Sequence, residues 1–156
     1  MNKDKIKEKF EKISSKSWRS FSEWVIWKQC SQEEMNLFTK WLNQLSEEEL
    51  SRYIKKDVSI LSVITNQTDK ICKTAIQISP ISIGFVKEQT KGLCELAIKR
   101  NVFSIVEIRE QTVDLCLLAL NLDKTVYKGI RIVQNPDYKT TLQNLKDKKT
   151  ILDALK

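Results

Sequence analysis

Apolar and polar positions recur along this chain with a step of 22 residues from about residue 58 onward. The phrase KEQTKGLCELAIKRN at 87–101 returns as REQTVDLCLLALNLD at 109–123, and more loosely as TNQTDKICKTAIQIS at 65–79. A fixed period in the twenties is typical of stacked helical repeats. The columns that keep this step are Ile64, Val86, Ile108 and Ile130; Gln67, Gln89 and Gln111; Thr68, Thr90 and Thr112; Ile71, Leu93 and Leu115; Cys72, Cys94 and Cys116; and Ala75, Ala97 and Ala119.

Residues 81–102 indicate what one unit contains. Ile83 and Val86 stand three apart, which predicts a short helix of about two turns. Thr90 then suits an N-cap, because its hydroxyl accepts a hydrogen bond from a free N–H of the next helix. The apolar spacing after Thr90 predicts a second helix of about three turns, and helices this short need stacked neighbours to be stable. Its buried face is predicted to hold Leu93, Cys94, Ala97 and Ile98.

The pattern predicts an all-α protein, in which an N-terminal helical cap packs on a short solenoid of 22-residue helix-corner-helix repeats. The presence of only 3 Gly and 2 Pro weighs against an all-β chain, which must turn every few residues. The predicted segments are an aromatic-rich N-terminal part at 1–57, repeats at 58–80, 81–102 and 103–124, a degenerate unit at 125–145 and a closing helix at 146–156.

The degenerate fourth unit departs from the pattern after Ile130. Tyr127 and Ile130 hold the places of Ile105 and Ile108, and QNPDYKTTL at 134–142 replaces the Gln-Thr corner. Asn135 and Pro136 there fit the cap and the first turn of a helix. Terminal repeats are commonly atypical, because one of their sides meets solvent.

The N-terminal part lacks the repeat but marks its own helices. Ser31 with Glu34, and Ser46 with Glu49, have the spacing of capping boxes and predict two helix starts. The first of these helices is expected to bury Leu37, Phe38, Trp41, Leu42 and Leu45.

All four tryptophans lie between residues 18 and 41. They predict a dense aromatic core that seals one end of the repeat stack, since aromatic side chains dominate cores. The alternative is that Trp24 or Trp27 is exposed as an anchor for a partner.

The repeated cysteines and glutamines each have a structural interpretation. Cys72, Cys94 and Cys116 are expected to pack as small apolar residues where helices approach closely, rather than to bind metal or react, since no CxxC and no His occurs. A glutamine at a helix corner is expected to bond to exposed backbone groups of its own or the next unit, with recognition of a partner as the alternative.

The phrase QTxxLCxxAIxxN, preceded by an apolar short helix, resembles the short helical repeats grouped as domain of unknown function 4116. The resemblance covers about residues 58–124. The first unit departs from it with Ile71 in place of Leu, and the third with Asn121-Leu122-Asp123. The resemblance implies an α-helical repeat fold. It implies no activity, because that family has no agreed activity and no catalytic residues to carry over.

The chain lacks the usual signatures of an enzyme. Without His the commonest general base is missing, and no GxSxG, P-loop or GxGxxG motif occurs. We therefore expect no catalysis and no cofactor.

Charge indicates the kind of partner. The formal net charge is +7, which favours acidic partners. The 22-residue step from Thr65 reaches Lys87, Arg109 and Arg131, a basic ladder with rungs about 10 Å apart in a helical stack. Lys91, Lys99 and Arg100 are expected to widen it. The alternative is an ordinary solvated face, partly neutralised by Glu88 and Glu110.

These observations favour a non-catalytic repeat protein that binds another macromolecule. We expect a protein partner, met through an acidic surface or within a nucleoprotein complex, and a role as an inhibitor or adaptor. One concrete form is a phage- or mobile-element-encoded inhibitor of a host defence nuclease, similar to an anti-CRISPR protein. The alternative is RNA or single-stranded nucleic-acid binding by the ladder.

Location and assembly are less constrained by the sequence. No apolar run reaches the ~20 residues of a membrane span, so we expect a cytoplasmic protein, in its own cell or in an infected host, and no membrane partner. The oligomeric state stays open, with a homodimer through residues 15–30 as one hypothesis.

Overall fold

The structure is a computed structural model that describes residues 5, 7–8, 31–131 and 142–155. All regular structure in these residues is helical, and none of them lies in a strand, so the described part of the chain is all-α, as predicted. The elements are α1 (Gln32–Leu42), α2 (Glu47–Lys56), the 3-10 helix η1 (Val58–Val63), α3 (Asp69–Ile78), η2 (Pro80–Phe85), α4 (Lys91–Arg100), η3 (Val102–Glu107), α5 (Val113–Leu122), η4 (Lys124–Gly129) and α6 (Leu142–Leu155).

Both predicted capping boxes are present. At the start of α1 the Ser31 hydroxyl accepts the Glu34 N–H at 3.2 Å, and the Glu34 carboxylate accepts the Ser31 N–H at 2.9 Å. Ser46 and Glu49 form the same pair at the start of α2. The hydrogen bonds from Ser46 lower the pKa of the Glu49 carboxyl group. These bonds satisfy N–H groups that a helix start leaves without a partner in the helix.

Three successive units each contain a six-residue 3-10 helix followed by a ten-residue α-helix: η1–α3, η2–α4 and η3–α5. The predicted two-turn helix is therefore a 3-10 helix, in which residues three apart lie on one face. Those faces are buried, with Leu61 and Ile64, Ile83 and Val86, and Ile105 and Ile108 each at most 1% exposed.

The α-helices of consecutive units contact each other, and so do their 3-10 helices. The predicted face of α4, formed by Leu93, Cys94, Ala97 and Ile98, is buried, as are the matching residues of α3 and α5. One core runs from Phe38, Trp41 and Leu42 of α1 to Ile151 of α6, which packs on α5. The buried cysteines and alanines are small, which lets neighbouring α-helices approach closely.

Some predictions lie outside the described residues. These are the aromatic segment at 15–30, with Trp18, Trp24, Trp27 and Cys30, and the corner with Asn135 and Pro136. In the fourth unit Ile130 is buried like Ile108, whereas Tyr127 is 37% exposed although Ile105 is buried. In the described part of the chain no further 3-10 helix follows η4 to cover Tyr127. None of the described helices is long and apolar enough to cross a membrane.

One glutamine per unit joins that unit to the next. In Gln111 the side-chain N–H groups donate to Ile105 O at 2.7 Å and to Gly129 O at 3.1 Å, and the side-chain oxygen accepts the Arg131 N–H at 2.8 Å. The carbonyl of Ile105 is in the same unit, whereas Gly129 and Arg131 follow in η4 and its corner. Gln89 and Gln67 make the same three bonds one and two units earlier, respectively. The glutamine column therefore has the structural role that the sequence suggested.

Asn43 extends this pattern into the N-terminal part. Its amide group donates to Thr39 O at 2.8 Å and to Val63 O at 3.1 Å, and its oxygen accepts the Thr65 N–H at 2.6 Å. These three partners correspond to those of the glutamines. Thr39 O belongs to the preceding helix, Val63 O to the next 3-10 helix, and the Thr65 N–H to the corner that follows. The pair α1–α2 is thus bonded to η1 as each later unit is to the next.

Replacement of Gln111 by Ala should destabilise the fold strongly. The change removes three hydrogen bonds and leaves backbone groups between η3 and η4 without their partner, so we expect a loss of about 3 kcal/mol in the free energy of unfolding. Denaturant titration followed by circular dichroism measures it. Gln77→Ala on α3, where the glutamine is exposed, is the matched control and should change the value by less than about 0.5 kcal/mol. Equal effects of the two changes would contradict the role of the column.

Two buried serines have hydroxyl groups without a partner in the described part of the chain. Ser82 and Ser104 are buried, and neither hydroxyl oxygen forms a hydrogen bond with a described residue. The same column holds Ile60 and Val126 in the flanking units, so the site suits an apolar side chain. Burial of an unsatisfied hydroxyl destabilises a fold.

Ser104→Ala should therefore raise the free energy of unfolding, by about 1 kcal/mol. The control is Ser62→Ala, because the Ser62 hydroxyl donates to Ser59 O at 2.7 Å and its removal should lower stability by up to about 1 kcal/mol. Denaturation midpoints of the two variants report the opposite signs. A lower midpoint for Ser104→Ala would show that its hydroxyl has a partner in solution.

Candidate macromolecule-binding surface

The basic ladder lies at the corners between the 3-10 helices and the α-helices. Lys87, Arg109 and Arg131 each follow a buried residue at the end of η2, η3 or η4. The backbone N–H of each donates to the glutamine of the preceding unit, at 2.7 or 2.8 Å. That bond fixes the start of each side chain at an equivalent point in successive units.

The ladder side chains reach back to carbonyl groups of the preceding corner. Arg109 Nη2 donates to Val86 O at 2.7 Å and to Lys87 O at 2.6 Å. The guanidinium group of Arg131 donates to Arg109 O at 2.9 Å, to Val106 O at 3.0 Å and to Ile108 O. Lys87 makes one longer bond, from Nζ to Thr65 O at 3.4 Å. These carbonyls stand where the 3-10 helices end and leave acceptors without a partner in the helix.

The ladder cations have no carboxylate partner among the described residues. All three residues are exposed, and their contacts are neutral carbonyl oxygens. Four ion pairs in the described part of the chain lie away from the ladder and join side chains on the α-helices: Lys91–Asp114 at 2.8 Å, Lys73–Asp69 at 2.6 Å, Lys99–Glu95 at 3.7 Å and Lys70–Glu47 at 3.8 Å. The corner side therefore presents a fixed positive charge that its own structure does not pair.

The residues expected to widen the ladder belong to α4 and have other partners. Lys91 binds Asp114 of α5, and their hydrogen bond raises the pKa of the Lys91 ammonium and lowers the pKa of the Asp114 carboxyl group. Lys99 pairs with Glu95, and Arg100 Nη2 donates to Gln77 O at 2.9 Å. The rise of an α-helix places Lys99 about 12 Å along α4 from Lys91. The other predicted anchors, Trp24 and Trp27, lie outside the described residues.

The cysteine column is part of the core and offers no reactive group. Cys72, Cys94 and Cys116 are buried free thiols. Burial raises the pKa of the Cys72 and Cys94 thiols, and it raises that of Cys116 to about 11. The thiols thus stay protonated at neutral pH. A nucleophile or a metal ligand needs the thiolate instead. In the described ranges no group of three or more His, Cys, Asp or Glu residues could hold a metal ion.

Two exposed apolar side chains on η3 were not anticipated from the sequence. Phe103 is 54% exposed and Val106 is 49% exposed. Their spacing of three places them on one face of a 3-10 helix, the face away from the buried Ile105 and Ile108. The sequence feature that could have predicted them is that both residues are apolar but lie outside the repeating columns of buried residues. We call these two residues the outer patch.

The neighbouring 3-10 helices surround the outer patch with different chemistry. The matching residues are Ile81 and Gly84 in η2, and Thr125 and Lys128 in η4. A Cβ atom at Gly129 would lie 2.8 Å from Val106 Cγ2, so glycine is what lets η4 approach Val106. The matching positions are therefore apolar in η2 and polar or basic in η4.

Comparison with protein-family models, curated proteins and solved structures finds no match to this chain. The resemblance to the domain of unknown function 4116 repeats thus stays a prediction.

Replacement of Arg109 by Ala tests the structural role of the ladder. Two carbonyl groups lose a charged donor, so the free energy of unfolding should fall by about 1–2 kcal/mol. Arg52→Ala on α2, where Arg52 is exposed, is the matched control and should lie within about 0.5 kcal/mol of the parent. Denaturant titration compares the two. An Arg109→Ala protein as stable as the Arg52→Ala protein would show that the carbonyl contacts contribute nothing.

Proposed function

We propose that the chain is a non-catalytic helical-repeat protein that binds another protein through its corner side. In this proposal residues 58–131 form a short solenoid of the kind grouped as domain of unknown function 4116, and α1–α2 closes its N-terminal end. Such scaffolds offer rigid, extended surfaces for binding. The observation that carries the proposal is the ladder of Lys87, Arg109 and Arg131. Its two guanidinium groups are held on carbonyl oxygens, and none of its cations has a carboxylate partner in the described residues.

A partner with an acidic surface fits this ladder. Fixed cations lose little conformational freedom on binding, so their attraction to carboxylates is opposed by a smaller entropy cost. The inhibitor of a host defence nuclease expected from the sequence is a narrower form of the same proposal, and an adaptor is another. Both require the same acidic contact surface.

Nucleic acid is the second candidate, because exposed aromatic side chains accompany the cations. Phe103 and Tyr127 are both exposed, and bases stack on such rings. Against it, the Arg109 and Arg131 guanidinium groups already donate to two or three carbonyls each, which leaves fewer N–H groups for the paired contact that arginine makes with phosphate. We therefore place protein binding first.

A pull-down with matched charge variants tests this function. The tagged full-length protein is used on a lysate of its source organism, with and without nuclease. The test variant is Lys87→Gln/Arg109→Gln, and the control is Lys73→Gln/Lys99→Gln, which removes the same charge from the α-helices. Retention of a protein partner after nuclease treatment, and its loss by at least about tenfold only in the ladder variant, is the expected result.

Thermal melting by circular dichroism confirms that both variants are folded at the assay temperature. A partner that both variants retain equally would remove the ladder from the binding site. Recovery of nucleic acid alone, with steep loss of binding as salt rises, would replace the proposal by the second candidate.

A further inference from the structure

We infer that the outer patch, Phe103 and Val106 with Lys128 and Arg131 beside it, docks an acidic segment of a partner protein through an apolar side chain of that segment. This inference rests on the proposed function and names the chemistry of the partner. It shares Arg131 with the ladder but adds Phe103, Val106 and Lys128, so substitutions at Phe103 and at Lys87 and Arg109 let the two fail separately.

The apolar part of the surface is two adjacent side chains that none of the described elements covers. About half of each side chain is exposed, on one face of η3, while the opposite face of the same helix is fully buried. Ile81 and Gly84 hold the matching positions in η2, and the Glu107 carboxylate stands beside Gly84. An aromatic residue beside a branched aliphatic one is typical of the central part of a protein interface.

The charged part of the surface lies on the η4 side. Arg131 Nη2 donates to the backbone oxygen of Val106 at 3.0 Å, which holds that guanidinium group next to the patch. Lys128 occupies the column of Val106 one unit later and is exposed. Neither cation pairs with a carboxylate in the described ranges. A bound segment would therefore gain from a carboxylate placed beside its apolar side chain.

The acidic residue of η3 lies toward the other side. A Cβ atom at Gly84 would lie 2.8 Å from Glu107 Oε2, so this carboxylate stands against η2, away from Lys128. The patch thus has a direction, positive toward η4 and negative toward η2, so an acidic segment would place its carboxylates at the η4 end.

The patch is also held rigidly across two units. Gln111 bonds both Ile105 O in η3 and Gly129 O in η4, and Gly129 lies against Val106. Because the surface is fixed before binding, little conformational freedom is lost when a partner docks. A short segment can therefore bind measurably.

The experiment is an NMR titration of the full-length, 15N-labelled protein with defined synthetic peptides. The first probe is a glutamate-rich peptide with leucine, the second has serine in place of leucine, and the third has lysine in place of glutamate. We expect the first probe to bind about tenfold more tightly than the second, as burial of an apolar side chain provides, with shifts centred on Phe103, Val106 and Lys128. The third should not bind.

Variants locate the effect on the patch. Phe103→Ser should abolish the difference between the first two peptides, and Lys128→Gln should weaken both. The control is Leu152→Ser on α6, where Leu152 is 40% exposed, and it should leave both affinities unchanged. If Phe103→Ser lowers the melting temperature, Phe103→Ala replaces it, since loss of the ring alone should remove most of the preference.

Three results would overturn the inference. These are equal affinity for the leucine and serine peptides, shifts centred on the α-helices, or a uridine oligonucleotide that shifts the patch more strongly than any peptide. The proposed function is read separately, from the lysate partner. If Phe103→Ser retains that partner while Lys87→Gln/Arg109→Gln loses it, the docking inference fails and the proposed function stands. If Phe103→Ser loses the partner while the ladder variant retains it, the partner binds at the outer patch and not at the ladder.

Discussion

The structure depends on one side-chain amide per unit, placed between two short helices. A six-residue 3-10 helix ends with carbonyl oxygens that it cannot satisfy, and the corner after it exposes a backbone N–H. A glutamine side chain carries two N–H donors and an acceptor oxygen, which match two such carbonyls and one such N–H. In Gln89 these groups belong to Ile83, Glu107 and Arg109, so the amide joins two successive units. Because the partners stand at the same offsets from Gln67, Gln89 and Gln111, these bonds recur with the 22-residue step.

The same constraint determines where the positive charge lies. The residue whose N–H reaches the glutamine is Lys87, Arg109 or Arg131, and its side chain turns back to the carbonyls of the previous corner. Stability and charge display are therefore coupled at the two arginines, which each bond several carbonyls. They are separable at Lys87, with its single long bond, and at the exposed Phe103 and Lys128. Substitutions at Lys87, Phe103 and Lys128 should therefore disturb the fold less than a substitution at Arg109.

Many of the helix positions and buried residues could be predicted from the sequence, because the residues that determine them recur at a regular spacing. Buried residues, glutamines and cysteines all recur at one step, and the capping boxes need only local spacing. The 3-10 form of the short helices did not follow, because the spacing of three between Ile83 and Val86 fits a turn of either helix type. Asn43 was missed because it differs in residue type from the glutamines and stands 24 residues before Gln67.

The candidate surface was less accessible to sequence reasoning. The column of Lys87, Arg109 and Arg131 was visible in the sequence. The direction of a long side chain toward a carbonyl about one unit earlier in the chain depends on the fold. Lys91 and Lys99 were grouped with the ladder by charge alone, whereas in the structure each pairs with a carboxylate. Phe103 and Val106 fit any apolar position until the buried face of η3 is known.

Native-state amide hydrogen exchange tests the central claim most directly. The N–H groups of Lys87, Arg109 and Arg131 belong to exposed residues and have a glutamine side chain as acceptor. The neighbouring N–H groups of Glu88 and Glu110 have no acceptor in the described part of the chain. We predict slow exchange for the first group and near-intrinsic rates for the second. Exchange of Arg109 and Arg131 as fast as that of Glu88 and Glu110 would contradict the claim that glutamine amides join the units.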